Sequence, residues 1–113
     1  MKYYHNNRCR KSREGLIFLE ERNIKPQIIE YINSKLNEAE IELILKHLNF
    51  KAIELIRKNE SVYKDNIKGK NLSEIELIKW MIKEPKLMER PILVNKNLAE
   101  IGRPKENFLR IIN

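Results

Sequence analysis

Cys9 is the one cysteine in 113 residues, and it stands in a run of polar and charged neighbours: His5-Asn6-Asn7-Arg8-Cys9-Arg10-Lys11-Ser12-Arg13. The thiolate, not the thiol, is the nucleophile. A free thiol with a pKa of about 8.5 is only roughly 3% thiolate at pH 7. Making it mostly thiolate takes a shift of about two units, or about 2.7 kcal/mol. The helical periodicity that starts at Arg10 places Cys9 at a helix N-terminus, where unpaired N–H groups and a partial positive charge favour an anion. Arg8, Arg10, Lys11 and Arg13 add cations to the same turn, so nucleophile and oxyanion site can coincide.

Ser12 completes a Cys-x-x-Ser spacing. A serine there cannot resolve a disulfide, so any disulfide formed by Cys9 needs an external thiol such as glutathione to reduce it. His5 lies across the loop, where it either stabilises the thiolate as an imidazolium or orients the loop. His5 and His47 are too far apart in sequence to read as a metal motif.

Three further stretches accompany the first in order: Leu55-Ile56-Arg57-Lys58 with Glu60 and Tyr63-Lys64; Glu89-Arg90-Pro91-Ile92; and Ile101-Gly102-Arg103-Pro104 with Glu106-Asn107. The stretch around Cys9 resembles the His-Asn-Pro-x-Cys-Ser-Lys-Ser-Arg motif of glutaredoxin-dependent arsenate reductases. The other three resemble that family's Leu-Ile-Arg, Arg-Pro-Ile and Ile-Gly-Arg-Pro-Pro-Glu motifs. The resemblance spans Tyr4 to about Leu109. It implies a thioredoxin-like fold and reduction of arsenate to arsenite. Cys9 takes the role of the cysteine that attacks arsenic, with His5 assisting the thiolate and Ser12 beside it. Arg57, Arg90 and Arg103 take the roles of the oxyanion-binding arginines. Glutathione and then glutaredoxin complete the reduction, no bound cofactor or metal is implied, and Pro91 falls at the fold's cis-proline. Asn7 replaces the motif's proline, Arg10 its serine and Lys105 its second proline; none of these removes a catalytic group. Guanidinium forks suit the chemistry, because they offer charge-assisted, often bidentate hydrogen bonds to a tetrahedral oxyanion.

Two other readings share these residues. One is a redox-responsive regulator of the Spx type that binds RNA polymerase, although Ser12 argues against a disulfide switch. The other is a general glutathione-linked thiol oxidoreductase.

Composition sets the frame. The chain is 42% hydrophobic and 35% charged, with a formal net charge of +7. That supports one core-forming domain. One cysteine excludes an internal disulfide framework and a cysteine-built zinc site. No apolar run approaches the roughly 20 residues of a membrane span, and no apolar signal core opens the chain. A cytoplasmic monomer acting on small molecules is the expectation. The basic residues form no block and have no interleaved aromatics, which argues against nucleic acid.

The elements that must position these residues follow from pattern. Lys2–Tyr4 is a candidate strand. A helix runs from about Arg10 to Arg22, with Leu16, Ile17, Phe18 and Leu19 as its buried side. Gly15 inside it costs roughly 1 kcal/mol against alanine and needs a reason such as close packing. Residues 27–32 are rich in β-branched and aromatic residues and read as a strand. Asn37 with Glu40, and Ser73 with Glu76, are capping-box starts. The first precedes Ile41, Ile44, Leu45 and Leu48; the second precedes Ile75, Ile78, Met81 and Ile82 in a helix that Trp80 helps to pack. A shorter helix covers about Lys51 to Arg57, and residues 59–71 read as loop with one possible turn near Val62-Tyr63.

Residues 92–94 and 98–101 form a hairpin, since Asn95-Lys96-Asn97 tolerates the left-handed backbone a tight turn needs. Pro104 suits the first position of a final helix to about Ile111. The expected fold is therefore α/β: a thioredoxin-like mixed sheet of about four strands flanked by helices, forming one domain over residues 1–113. A helical insertion of about 34–84 separates strands 2 and 3.

Overall fold

The computed structural model describes residues 1–112. Four strands, β1 (Lys2–Tyr4), β2 (Gln27–Ile29), β3 (Ile92–Asn95) and β4 (Leu98–Ile101), form one sheet in the order β2-β1-β3-β4. β1 and β2 are parallel, joined through helix α1 (Arg10–Glu20). β3 runs antiparallel to both β1 and β4. This is the expected mixed four-stranded sheet. Between β2 and β3 lie α2 (Glu38–Leu48), α3 (Ala52–Leu55), α4 (Ser61–Asn66) and α5 (Glu74–Lys83). The chain divides into two compact units, the sheet unit of Met1–Ser34 with Arg90–Asn113 and the helical unit of Lys35–Glu89.

In the sheet unit, Tyr3 pairs with Leu93 across β1 and β3. Both are fully buried with Phe18, Leu19, Phe108 and Ile111. Helix α1 packs through Ser12, Gly15, Phe18 and Leu19, while Ile17 is 55% exposed, contrary to its expected place in the core. The stripe of buried positions is narrower than the apolar run, and Ile17 falls beside it. α1 ends at Glu20, short of the expected Arg22, and the turn that follows passes through Asn23, whose φ of 61° is left-handed. β2 is shorter than the apolar run 27–32 because its partner β1 offers only three residues. Beyond it the chain folds back, with Asn33 and Ser34 N–H groups both donating to the Glu30 carbonyl. The hairpin turn places Lys96, not an asparagine, at φ 58°. The last segment, Lys105–Arg110, is 3₁₀ rather than α-helical.

The helical unit follows its capping signals. Asn37 Oδ1 accepts from the Glu40 N–H at 2.8 Å, and Ser73 Oγ accepts from the Glu76 N–H at 3.2 Å. α2 buries Ile41, Ile44 and Leu45. α5 buries Leu77, Ile78 and Met81, whereas Ile75 is exposed. Residues 77, 78 and 81 are spaced as one helix face, and Ile75 lies off it. Trp80 is only half-buried, with Lys83 Nζ 5.1 Å from its ring centre. α4 occupies what reads as loop. It buries no residue fully, so it carries no apolar period to betray it. α3 stops at Leu55 because Ile56 turns extended and bridges Met88.

Two glycines of the sheet unit are fixed by space rather than by φ. A Cβ on Gly15 would lie 2.5 Å from the Tyr3 hydroxyl and 3.2 Å from Pro91 Cγ. A Cβ on Gly102 would collide with the Phe108 ring. Phe108 is wholly buried, so its ring cannot swing aside freely. Gly102→Ala is therefore expected to cost about 1–3 kcal/mol through overpacking, seen as a lower urea midpoint with an unchanged denaturant slope.

Candidate functional site

The loop after β1 is built by local hydrogen bonds. His5 N–H donates to the Ile29 carbonyl at 2.9 Å, continuing the parallel ladder one residue past the strands. Asn6 then forms an Asx turn, its Oδ1 accepting from Arg8 N–H at 3.1 Å. The Asn6 carbonyl accepts from Cys9 N–H at 2.9 Å, and the Cys9 carbonyl accepts from Arg13 N–H at 3.1 Å. Cys9 is thus the N-cap of α1, with extended backbone at φ −93°, ψ 121°.

Two arginines reach Cys9 from the far end of the sequence. Arg103 Nη2 lies 3.4 Å from Cys9 Sγ, and Arg103 Nε donates to the Arg90 carbonyl at 2.7 Å. Asn107 Nδ2 donates to the carbonyls of both Ile101 and Arg103, each at 3.2 Å, which fixes the turn that carries Arg103. Arg90 precedes Pro91, and the Arg90–Pro91 and Arg103–Pro104 bonds are both cis. The first is the one the resemblance implies; the second has no sign in the sequence.

These neighbours set the charge state of the thiol. Burial pushes the Cys9 pKa up. A hydrogen bond from the Arg90 side chain, the Ser12 backbone N–H and the charges of Arg90 and Arg103 outweigh it, so the thiol lies below its ordinary range. The cations next to Cys9 in sequence do something else, contrary to expectation. Arg10 and Lys11 pair with Glu14 at 3.1 and 3.7 Å, and Arg13 Nη1 donates to the Asn7 carbonyl.

His5 and Ser12 form a buried pair, with Nδ1 2.6 Å from Oγ. Ser12 Oγ also accepts from Asn6 N–H at 3.0 Å, so the hydroxyl bridges the His5 ring and the loop backbone. Burial lowers the His5 pKa; the Glu30 carboxylate opposes this and the Arg13 cation adds to it. The ring is therefore neutral at pH 7, so it lends the thiolate no charge and instead ties Ser12 to the loop. Arg57 belongs to the helical unit. Its N–H donates to the Leu87 carbonyl at 2.7 Å, and its Nε lies 3.8 Å from Glu60 Oε2. Its Nε and Nη1 are buried without a hydrogen bond.

A cleft of about 430 Å³ opens beside Arg103, lined also by Lys11, Glu14, Gly102, Pro104, Lys105 and Glu106. Among the described residues no group of three His, Cys, Asp or Glu side chains could hold a metal ion, and no helix is long and apolar enough to cross a membrane.

The ArsC family profile matches residues 4–111. The chain belongs to the ArsC family. YfgD of Escherichia coli K12, an uncharacterised protein, is 44% identical over 99% of this chain and 96% of its own length. An arsenate reductase of Haemophilus influenzae is 38% identical over 96% of both chains. The solved structure of an arsenate reductase from Vibrio cholerae superposes with a TM-score of 0.94 at 37% identity, covering 99% of this chain and 98% of that one. The thioredoxin-like arrangement is thus shared across the full ArsC domain.

Within this ArsC chain, the residues that sequence reasoning did not single out are Tyr3 and Asn107 in its role as a carbonyl clamp. Tyr3 carries no motif. Its only trace is Gly15, an interior helix glycine that needs a packing partner.

Two outcomes follow from the site's charges. Cys9 alkylation by iodoacetamide, followed against pH, should give a midpoint below about 8.5, and Arg103→Ala should raise it. His5 has a folded-state pKa below its unfolded value, so the unfolded chain binds more protons in that interval. The stabilising contribution is complete above about pH 6.5 and is lost as pH falls below it. Urea midpoints of the wild type should fall over that window, and those of His5→Asn should fall less.

Proposed function

We propose that this protein is an arsenate reductase that uses Cys9 as nucleophile, with glutathione and glutaredoxin as the reducing partners. The observation that carries the reading is the Arg103 guanidinium 3.4 Å from Cys9 Sγ, with Arg90 on the same sulfur. That pair does two things at once. It lowers the thiol pKa, and it presents charge-assisted donors where a tetrahedral oxyanion must sit for attack.

The chemistry divides into three steps. The Cys9 thiolate attacks arsenic(V), an As–S bond forms, and one arsenate oxygen leaves as water after taking up two protons. Glutathione then supplies the second sulfur: the As–S bond breaks, a Cys9–glutathione disulfide forms, and its two electrons reduce arsenic(V) to arsenic(III). Glutaredoxin finally returns Cys9 to the thiol by exchange. In sum, arsenate and two thiols give arsenite, one disulfide and water. The solitary cysteine fits this division, because no second cysteine of the chain could resolve the first.

Arg90 and Arg103 bind the arsenate oxygens and hold the adduct's negative charge. Arg57 is the third member of the anion set by its motif alone. His5 and Ser12 hold the nucleophile loop in place. The cleft beside Arg103, with Lys11 and Lys105 on its walls, offers a charged bed to the incoming thiol.

The deciding assay supplies arsenate, glutathione, glutaredoxin, glutathione reductase and NADPH, and follows NADPH consumption. Turnover should depend on arsenate and vanish in Cys9→Ser. Arg103→Ala should lower kcat by about a hundredfold, the usual scale for losing one oxyanion donor, with the circular-dichroism spectrum unchanged. Arsenate-independent consumption, or equal rates in wild type and Cys9→Ser, would refute the proposal.

A further inference from the structure

Ser12 is fully buried, and both its backbone and side chain are engaged. Its N–H favours the Cys9 thiolate. Its hydroxyl is held by His5 Nδ1 and Asn6 N–H. Its carbonyl accepts a hydrogen bond from the Tyr3 hydroxyl at 2.6 Å. That third contact comes from a strand residue outside the motif. Tyr3 has no exposed surface, its ring meets Phe108 edge-on at 6.0 Å, and the His5 ring lies 5.6 Å away. The hydroxyl therefore has a fixed position at the first turn of α1. Gly15 leaves the space it occupies, since a Cβ there would come within 2.5 Å of that oxygen.

We infer that Tyr3 is a positioning residue for Cys9: its hydroxyl pins the Ser12 carbonyl, and Gly15 makes room for that hydroxyl. Cys9 and Ser12 share one helical turn. Holding the Ser12 carbonyl from the sheet fixes how far that turn can rock, and with it the aim of the Ser12 N–H at the sulfur. A neutral tyrosine adds no charge, so its influence on the thiol is geometric. Burial holds the phenol well above its ordinary range, partly offset by the bond to Ser12, with the Cys9 charge adding a further rise. Tyr3 thus stays a donor at every pH at which Cys9 titrates.

The inference rests on Cys9 being the nucleophile, but its test needs no arsenate. Cys9 is the only cysteine, so iodoacetamide reports on it alone. Tyr3→Phe should raise the pH midpoint of alkylation and slow the reaction at pH 7 about threefold, the weight of one ordinary hydrogen bond. Gly15→Ala should also shift the midpoint by pushing the hydroxyl away. In the Tyr3→Phe background the same substitution should have a smaller effect, because the oxygen it strikes is gone.

p-Aminophenylalanine at position 3 keeps a donor and should restore the wild-type profile. p-Methylphenylalanine keeps the size, lacks the donor and should behave as phenylalanine does; this pair decides the matter if Tyr3→Phe fails to fold. An alkylation profile that overlays the wild type in the donor-less variants, or strict additivity of the Tyr3 and Gly15 changes, would overturn the inference. Failure of arsenate turnover in the wild type would instead refute the proposed function and leave the alkylation result standing.

Discussion

The thiolate of Cys9 has to exist in a place that is partly dry, and burial alone drives the thiol toward its neutral form. The architecture around it answers that penalty with guanidinium groups carried on turns rather than with the cations nearest in sequence. Arg90 sits where the chain enters β3, and Arg103 where it leaves β4. The two strands are paired, with Ile92 opposite Ile101, so their outer ends are neighbours by the register of the hairpin. Arg103 Nε on the Arg90 carbonyl fastens those ends together. The hairpin is thus more than a sheet edge. It brings two charges from 13 residues apart to one sulfur.

The same region explains why packing is so tight there. Gly15 and Gly102 both approach Pro91 and Phe108, from α1 and from the end of β4. Helix α1 can bring its N-cap to the arginine turns only if its inner face lies flat against them. A side chain at either glycine would hold the surfaces apart. The Phe108 ring fills the space between, anchored by the 3₁₀ segment that follows Arg103. Glycine here costs helix propensity of roughly 1 kcal/mol at position 15 and gains close contact.

Much of this was legible in the sequence wherever a local rule and the global fold agree. The two capping boxes, the β1-α1-β2 order and the 92–101 hairpin each have a short-range chemical cause. The failures share a different cause. Ile17 and Ile75 are apolar yet exposed, because burial is decided by a helix's angle to its neighbours and not by its own pattern. Helix α4 buries no side chain fully and so has no period. Lys96 takes the left-handed turn position beside two asparagines because the β3–β4 register, set by pairing, leaves only Lys96 and Asn97 in the turn. At the site, Cys9 and its helix position were readable from spacing. The convergence of Arg90 and Arg103 was implied only by the family resemblance, since nothing local in the chain fixes the distance between residues 9 and 103.

Charge makes the same point from another side. The net +7 suggests a general attraction for anions, yet Arg10, Lys11 and Arg13 beside Cys9 are engaged locally. Arg10 and Lys11 share Glu14: burial pushes its carboxyl pKa up, but Lys11, Arg10 and Lys105 together outweigh that and hold it below its usual range. These are exposed pairs of small energetic weight. While Glu14 engages Arg10 and Lys11, the guanidiniums that act on the sulfur are those of Arg90 and Arg103. A planar fork fastened to the Arg90 carbonyl, on a turn held by Asn107, can match the oxygens of a tetrahedral anion, which mobile surface cations cannot do without losing side-chain entropy. The proposed specificity for an oxyanion at Cys9 therefore rests on how few of the chain's cations are oriented, and on how firmly those few are held.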